Sequence, residues 1–479
     1  MAETFLWHDY ETWGADPRRD RACQFAGVRT DAALDEIGEP LVVYCRPAAD
    51  MLPHPDACLI TGITPRLATE RGLIEAEFAA RVLGVLSVPG TCGVGYNSMR
   101  FDDEVTRNLF YRTLHDPYAR EWRNGNSRWD LIDVMRLAQA LRPDGLDWPL
   151  HPDGSPSFRL ESLTESNGIA HGSAHDALAD VRATIALARR LRQAQPRLFD
   201  YALTLCDKRR VRALLDQGAP LLHVSARFPA ALGCIAPVLP LAPHPTNPNG
   251  VICFDLRADP RQLLDLTPDE LRRRLYTPVE QLPPGVERVP LKTVHANRSP
   301  MLAPMKTLTP AAGERWRIDP VQVAARAGSV AAHAAEIRAR VQAVHQAPDV
   351  APETDPDLML YSGGFFSDRD RRAMDEVHRR APDELADDPP RFEDPRLRTL
   401  LFRYRARNWP ETLSPEERED WDAYRFVRLT EADGGGSIQI DQFAQRLDEL
   451  AGQHAADLDK LRILSELGDW GEWVMDSGD

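Results

Sequence analysis

The sequence predicts an α/β segment to about residue 190, then a small β-rich segment with helical insertions, then a tail almost wholly helical from about 365. Three observations carry this. Alternating apolar runs give way to helical periods within the first segment, as mixed strands and helices require. Short apolar runs broken by prolines fill about 220–305. Beyond 346–356, a stretch of acids and prolines that reads as a linker, helical patterns follow one another.

In order along the chain, residues 5–11 alternate in the manner of a strand. Residues 24–30 and 41–45 read as two more, with a turn across 31–38 between them, and 91–96 as a short fourth. Helical periods mark 74–86, 103–114, 127–141, 159–166 and 176–193. The last is rich in Ala, Leu and Arg and has acids near its start, as the helix dipole prefers. Gln195-Pro196 marks a boundary, and a basic helix follows with Lys208, Arg209, Arg210 and Arg212. Strands are expected at 221–225, 233–239 and 250–255, and one or two helices over 319–346. The glycines at 434–436 fall between two helices. The division is 1–194, 195–350 and 351–479, in keeping with about 150 residues per domain for a chain of 479.

Composition narrows the classes. Apolar residues make up 43% and charged residues 27%, ordinary for a soluble globular chain. No stretch approaches the roughly 18 apolar residues of a membrane span. The N-terminus has an acid where a signal peptide is basic, and no apolar run follows. The expectation is a cytoplasmic protein without a membrane partner. Seven cysteines, an odd count with no C-x-x-C pair, indicate neither a disulfide framework nor a zinc site. The net charge of −15 weighs against a polyanionic partner unless arginines are gathered locally.

Three small motifs carry chemistry. Asp9-Tyr-Glu11 lies in the first strand, where residues i and i+2 point to one face, about 7 Å apart along the strand. Two such carboxylates can share a hard divalent cation. Asp102 follows a short strand and opens a helix. His175 sits at the entry to the next helix, with Asp180 just over a turn inside it. Each motif alone is common, since helix-start acids and solvated strand acids are everywhere. Their order is specific: D-x-E, an Asp about 90 residues on, then H-x4-D. Phosphodiester hydrolysis needs an activated water and a stabilised leaving oxygen, which two metals about 3.5–4 Å apart supply. Asp9, Glu11, Asp102 and Asp180 provide the charge to hold them. His175, with an ordinary pKa near 6.5, suits deprotonation of the water.

This constellation resembles the DEDDh 3′→5′ exonucleases. The longer text is similar to one bacterial family among them, exodeoxyribonuclease I (exonuclease I). The matching stretches begin at His8-Asp-Tyr-Glu-Thr, Thr61-Gly-Ile-Thr-Pro, Phe101-Asp-Asp-Glu and Asn126-Ser-Arg-Trp-Asp. They continue through Ser157-Phe-Arg-Leu-Glu, Ala174-His-Asp-Ala, Gln195-Pro-Arg-Leu-Phe, Leu222-His-Val-Ser, Gly364-Phe-Phe-Ser-Asp and Tyr404-Arg-Ala-Arg-Asn. The chain departs from the pattern at Ser362-Gly-Gly-Phe, one residue longer than Y-x-G-F-F, and at 227–233.

The resemblance implies an RNase H-like exonuclease domain with a mixed sheet, then an SH3-like domain and an all-helical C-terminal domain. It implies processive 3′→5′ hydrolysis of single-stranded DNA to 5′-mononucleotides in DNA repair and recombination. It also implies two Mg²⁺ ions, with Mn²⁺ as a substitute. The catalytic positions carry over onto Asp9, Glu11, Asp102, Asp180 and His175, the four carboxylates being metal ligands. Glu11 and Arg159 carry over as substrate contacts. The implied partners are single-stranded DNA and the acidic C-terminal tail of single-stranded DNA-binding protein, taken up by a monomer with a local basic pocket. Arg142, Lys208 and Arg209 are candidates for that pocket. Two alternatives stay open. One is a DEDDh nuclease acting mainly on RNA, which a protein distinguishes through the 2′-hydroxyl. The other is an inactive single-strand-binding subunit, which should have lost one of the five positions.

Overall fold

The computed structural model describes residues 3–172, 176–346 and 353–476. They group into two compact units. The first comprises 2–127, 172–182 and 351–479, so that the third segment of the sequence shares a unit with much of the first. The second comprises 128–171 and 183–350.

In the first unit the sheet is built around β1 (Thr4–Thr12), seven of whose nine residues are buried. β2 (Ala22–Thr30) pairs antiparallel to it, with Asp9 opposite Ala26 and Glu11 opposite Gln24. β3 (Leu41–Tyr44) pairs antiparallel to β2. β4 (Thr91–Gly95) lies parallel to β1. The order β3-β2-β1-β4 makes the sheet mixed. A parallel neighbour needs a long crossover, and three helices supply it: α1 (Pro55–Thr61), α2 (Pro65–Arg71) and α3 (Glu75–Leu86). α1 and α2 each open on a proline, which the first helical turn tolerates because its N–H needs no partner there. Neither is among the helices expected from the sequence.

α4 (Asp102–Arg112) follows β4. Its Val105 and Leu109 pack with Leu6, Tyr10 and Phe25 of the sheet and Phe78 and Val82 of α3. Burying each such side chain stabilises by about 1.5–3 kcal/mol. A second cluster joins Trp13, Cys23 and Cys58 to Phe443, Leu464 and Leu467 of the C-terminal helices. The late helices therefore share a core with the first segment.

The chain passes into the second unit along β5 (Ser127–Asp130), which leads into α5 (Leu131–Leu141). One helix was expected over 127–141. The Asp130 carboxylate accepts the Ile132 N–H at 3.3 Å, so the helix starts only after Asp130. α6 (Leu160–Ser166) and α7 (Ala177–Ala194) match the expected helices closely. α8 (Pro196–Thr204) and the basic α9 (Lys208–Leu215) follow.

The second sheet is wholly antiparallel, in the order β10-β6-β7-β8-β9. It comprises β6 (Leu221–Val224), β7 (Ile235–Pro243), β8 (Gly250–Asp255), β9 (Leu291–His295) and β10 (Met301–Pro304). The two edge strands, β9 and β10, were not read from the sequence. They are short, β9 carries Lys292 and His295, and β10 ends on a proline, as edges often do. None of the seven cysteines is in a disulfide, and six are buried. Among the described residues no helix is long and apolar enough to cross a membrane.

Candidate metal centre

β1 presents Asp9 and Glu11 on one face because strand side chains alternate. α7 brings the third acid, since Asp180 falls in its first turn. Ligand oxygens of Asp9, Glu11 and Asp180 lie within 4.8 Å of one another, closer than the strand repeat alone would give. Glu11 is buried, whereas Asp9 and Asp180 are partly exposed at the rim. The start of α7 is set by Asp176, whose Oδ1 accepts the Ala179 N–H at 3.0 Å.

Asp102 stands at the first residue of α4 and is only 3% exposed. Its Oδ1 accepts the Tyr10 N–H at 3.1 Å, which ties the start of α4 to β1 between the two strand acids. The Thr106 hydroxyl donates to the Asp102 carbonyl at 2.7 Å and lies 3.0 Å from the Tyr10 hydroxyl. Beside it, Asp103 is paired with the buried Arg120. Tyr10 is thus a positioning residue that the motif D-x-E concealed, because x carries no chemistry in that pattern.

These acids stand close to one another. Removal from water raises Asp9 well above the usual carboxylate range, and the charges of Asp102, Glu11 and Asp180 raise it further. Glu11 is pushed up to about 8, first by burial and then by Asp180, Asp102 and Asp176. Three converging carboxylates, two of them held toward the neutral form first by burial and then by their acidic neighbours, are an oxygen donor set suited to a hard divalent cation. Asp102 acts on Asp9 by its charge but is not one of the three converging groups.

A cavity of about 890 Å³ opens beside Glu11, lined by Thr12, Gly14, Asp20, Phe101 and Ser437 among others. Gly14 has no room for a side chain, because a Cβ there would meet Asp20 Oδ2 at 2.3 Å. The Asp20 carboxylate accepts the Asp16 N–H at 2.8 Å and the Ser437 hydroxyl. The loop after β1 is thereby pinned to the segment that follows the glycines at 434–436. Nothing in the sequence spacing pointed to Asp20 or Ser437.

His175 lies outside the described residues. Arg159 belongs to the second unit, where it is exposed immediately before α6.

Three family models match the chain: "Exonuclease" over residues 6–188, "Exonuclease I SH3-like domain" over 206–347 and "Exonuclease I C-terminal domain" over 354–474. The sequence is 47% identical over 475 residues to exodeoxyribonuclease I of Escherichia coli strain K12, covering 98% of each chain. Among solved structures it is similar to a moderately thermophilic exonuclease I from Methylocaldum szegediense, with TM-score 0.95 and 50% identity, covering 99% of this chain and 100% of that one. E. coli exonuclease I in complex with a dA16 oligonucleotide matches with TM-score 0.93 and 46% identity, covering 98% and 100%. A zinc-bound E. coli complex with single-stranded DNA and an SSB/exonuclease I structure with an inhibitor match at TM-scores of 0.93 and 0.90, each at 45% identity and covering 99% of this chain and 100% of that one.

Proposed function

The chain belongs to the exonuclease I family, and on that premise we propose how its residues carry out the reaction. It is a divalent-metal-dependent 3′→5′ exonuclease acting on single-stranded DNA. The observation that carries the mechanism is the convergence of Asp9, Glu11 and Asp180 within 4.8 Å.

In this reading Asp9, Glu11 and Asp180 hold two Mg²⁺ ions, with Mn²⁺ able to replace them, and Asp102 completes the charge around them. When bound, such ions lower the pKa of a water and stabilise the leaving 3′ oxygen. The chain's own groups do the rest. Tyr10 N–H fixes the carboxylate of Asp102. His175 takes the proton of the attacking water. Glu11 and the cavity beside it receive the terminal nucleotide, and Arg159 contacts the strand. The mononucleotide leaves with a 5′-phosphate, and digestion continues along the strand before release, in DNA repair and recombination.

The oligonucleotide complexes of the relatives favour DNA over RNA as substrate. All four DEDD acids are present, and Asp9, Glu11 and Asp180 converge, which disfavours an inactive binding subunit. The acidic tail of single-stranded DNA-binding protein is the proposed protein partner. Lys208 and Arg209 on α9 are exposed and available to it, whereas Arg142 donates to the Thr307 carbonyl at 3.1 Å. The working form is a monomer in the cytoplasm.

The test is digestion of a 5′-labelled single strand and its duplex, with Mg²⁺ and with EDTA. The reading expects a ladder shortened from the 3′ end, for the single strand and only with metal. Equal digestion of the duplex, or digestion in EDTA, would overturn it. His175→Ala should lose about 10²–10⁴-fold in kcat while keeping DNA and metal binding. A retained rate in that variant would move the proton elsewhere.

A further inference from the structure

The glycines at 434–436 have no part in the chemistry above, yet each stands where a side chain does not fit. Their turn joins the helices Pro415–Thr430 and Ile440–Gln453. A Cβ on Gly434 would collide with the Val427 carbonyl, and one on Gly436 would meet the Arg428 carbonyl at 2.6 Å. Gly435 has φ +89°, and a Cβ there would meet Asp355 Oδ2 at 2.7 Å and Arg428 Nη1 at 3.1 Å. Arg428 is itself buried and donates through Nε to the Asp50 carbonyl at 3.0 Å. The turn is therefore seated on a fixed ionic base. Ser437, the residue after it, lines the cavity beside Glu11.

The loop after β1 gives Gly14, Asp16 and Asp20 to the same cavity. The β1–β2 ladder holds Glu11 opposite Gln24 and then shifts register between Glu11 and Thr12. Beyond that point the loop is held largely by its own hydrogen bonds. The Thr12 hydroxyl donates to the Gly14 carbonyl at 2.6 Å, and the Asp20 N–H to the Asp16 carbonyl at 2.7 Å. The Asp20 side chain is the fastening. It is 3% exposed; Oδ2 accepts the Asp16 N–H at 2.8 Å, and Oδ1 accepts the Ser437 hydroxyl, its one donor among the described residues. A hydrogen bond to a carboxylate is a strong one, and a buried oxygen left without its donor costs its full desolvation. Gly14 leaves no space for a Cβ beside Asp20, so the place of Asp20 sets the place of the loop.

We propose that Ser437 is a positioning residue for the nucleotide cavity: by holding Asp20, it fixes the wall made by Gly14 and Asp16 against the terminal nucleotide. The proposal rests on the reading of that cavity given above. The contact does not set bond cleavage, because the β1–β2 ladder holds Glu11 before the register shifts. It sets how tightly the terminal nucleotide is seated. The glycine run is part of the device, since a side chain at 434–436 would lift the turn from its base and carry Ser437 away from Asp20. The third segment of the chain thus has a part in the site, as a brace from Arg428 to the loop that follows Glu11.

The experiment uses the full-length enzyme with Mg²⁺ and a short 5′-labelled thymidine strand. It measures kcat and KM for loss of the first nucleotide, and the Ki of the product, thymidine 5′-monophosphate. Ser437→Ala should raise Ki about 5- to 100-fold and raise KM by no more than that, because the rest of the strand still binds, with kcat kept. Ser437→Thr, which retains the hydroxyl, should restore Ki, whereas Ser437→Val, of the same shape without it, should not. Urea unfolding shows whether each variant is folded. Asp20→Asn keeps the side-chain size but weakens a charge-assisted bond, so it should shift Ki in the same direction by less, and it decides the matter should Ser437→Ala fail to fold. An unchanged Ki in the folded variants, a kcat that falls as far as Ki rises, or a Val variant equal to the Thr variant would overturn the proposal. So would a wild-type enzyme that digests the strand but is not inhibited by the mononucleotide. Failure of the exonuclease reading has its own signature: wild-type enzyme that leaves the strand intact with Mg²⁺.

Discussion

At Asp50 and Asp357 the chain surrounds buried acids with arginines, and at Asp9 and Glu11 it surrounds them with other acids. Asp50 is fully buried; Arg21 donates to both its oxygens at 2.8 and 2.7 Å, and Arg407 donates to Oδ2 at 2.8 Å. Asp357 receives Arg407 and the Tyr424 hydroxyl, with Arg403 3.3 Å away. Burial alone would raise both carboxyls. Arg21, Arg407 and Arg428 outweigh it at Asp50, and Arg407 and Arg403 at Asp357, holding both below the usual range. At the metal centre, burial and neighbouring charge act in the same direction, upward. One set is complete in the polypeptide. In the proposed reading the other would be completed by cations.

The widest separation between the two sets should come from neutralising one acid in each. Asp9→Asn should lower hydrolysis at least about 10³-fold, at the upper end of what one transition-state contact supplies. It should leave the metal-free protein as stable as wild type or more so, because a repulsive charge is gone. Asp50→Asn should do the reverse. It leaves arginines buried without their partner, at about 3–5 kcal/mol of stability. Urea unfolding together with initial rates measures both. Equal stability losses in the two variants would erase the distinction.

A middle-sized effect is the pH dependence, with opposite signs in the two sets. Glu11 has a folded pKa of about 8 against an ordinary 4.5, so the folded state binds the extra proton between those values. Its contribution is fully present below pH 4.5 and is lost as pH rises through 8. Asp50 and Asp357 are depressed, so their contribution is present above about pH 4 and lost below it. Buried neutral histidines such as His8, lowered to about 4 first by burial, affect stability below pH 6.5 and leave the interval above it clear. Between pH 6.5 and 8 the metal-free protein should lose about 1–2 kcal/mol through Glu11. Chemical denaturation across that interval checks it, and Glu11→Gln should reduce the slope to the part that Asp9 contributes.

The smallest effect belongs to an exposed pair. Arg446 donates to both Asp56 oxygens at 2.9 and 2.6 Å, yet both side chains remain well solvated. Arg446→Ala should cost less than about 1 kcal/mol. A loss approaching that of Asp50→Asn would mean that burial is not what separates strong pairs from weak ones here.

The acids of the metal centre were legible because strand alternation and helix starts are local. Asp9 and Glu11 share a face by period, and Asp102 and Asp180 begin helices by type. The arginine network was not legible, since Arg407 and Asp50 stand 357 positions apart and no spacing rule joins them. Tyr10 and Ser437 were missed for the same reason: their roles depend on which backbone lies opposite. The first four residues of the expected helix at 127–141 were misread because an Asp that caps a helix is also tolerated inside one. For the third segment, read from the sequence as an all-helical domain, the packing identifies the apolar surface that truncation would expose. Phe443, Leu464 and Leu467 share a core with Trp13, so removing 352–479 would strip that core along with any strand-holding surface.

The central claim is that the Asp9–Glu11–Asp180 cluster is destabilising by itself and is completed by divalent cations. Scanning calorimetry of the metal-free protein at pH 6.5 and 8.0, with and without Mg²⁺, tests it most directly. The account predicts a lower Tm at pH 8.0 without metal, a rise on adding Mg²⁺ that is larger at pH 8.0, and neither effect in a variant carrying both Asp9→Asn and Glu11→Gln. A Tm that does not respond to Mg²⁺ at pH 8.0, or responds equally in that variant, would contradict it.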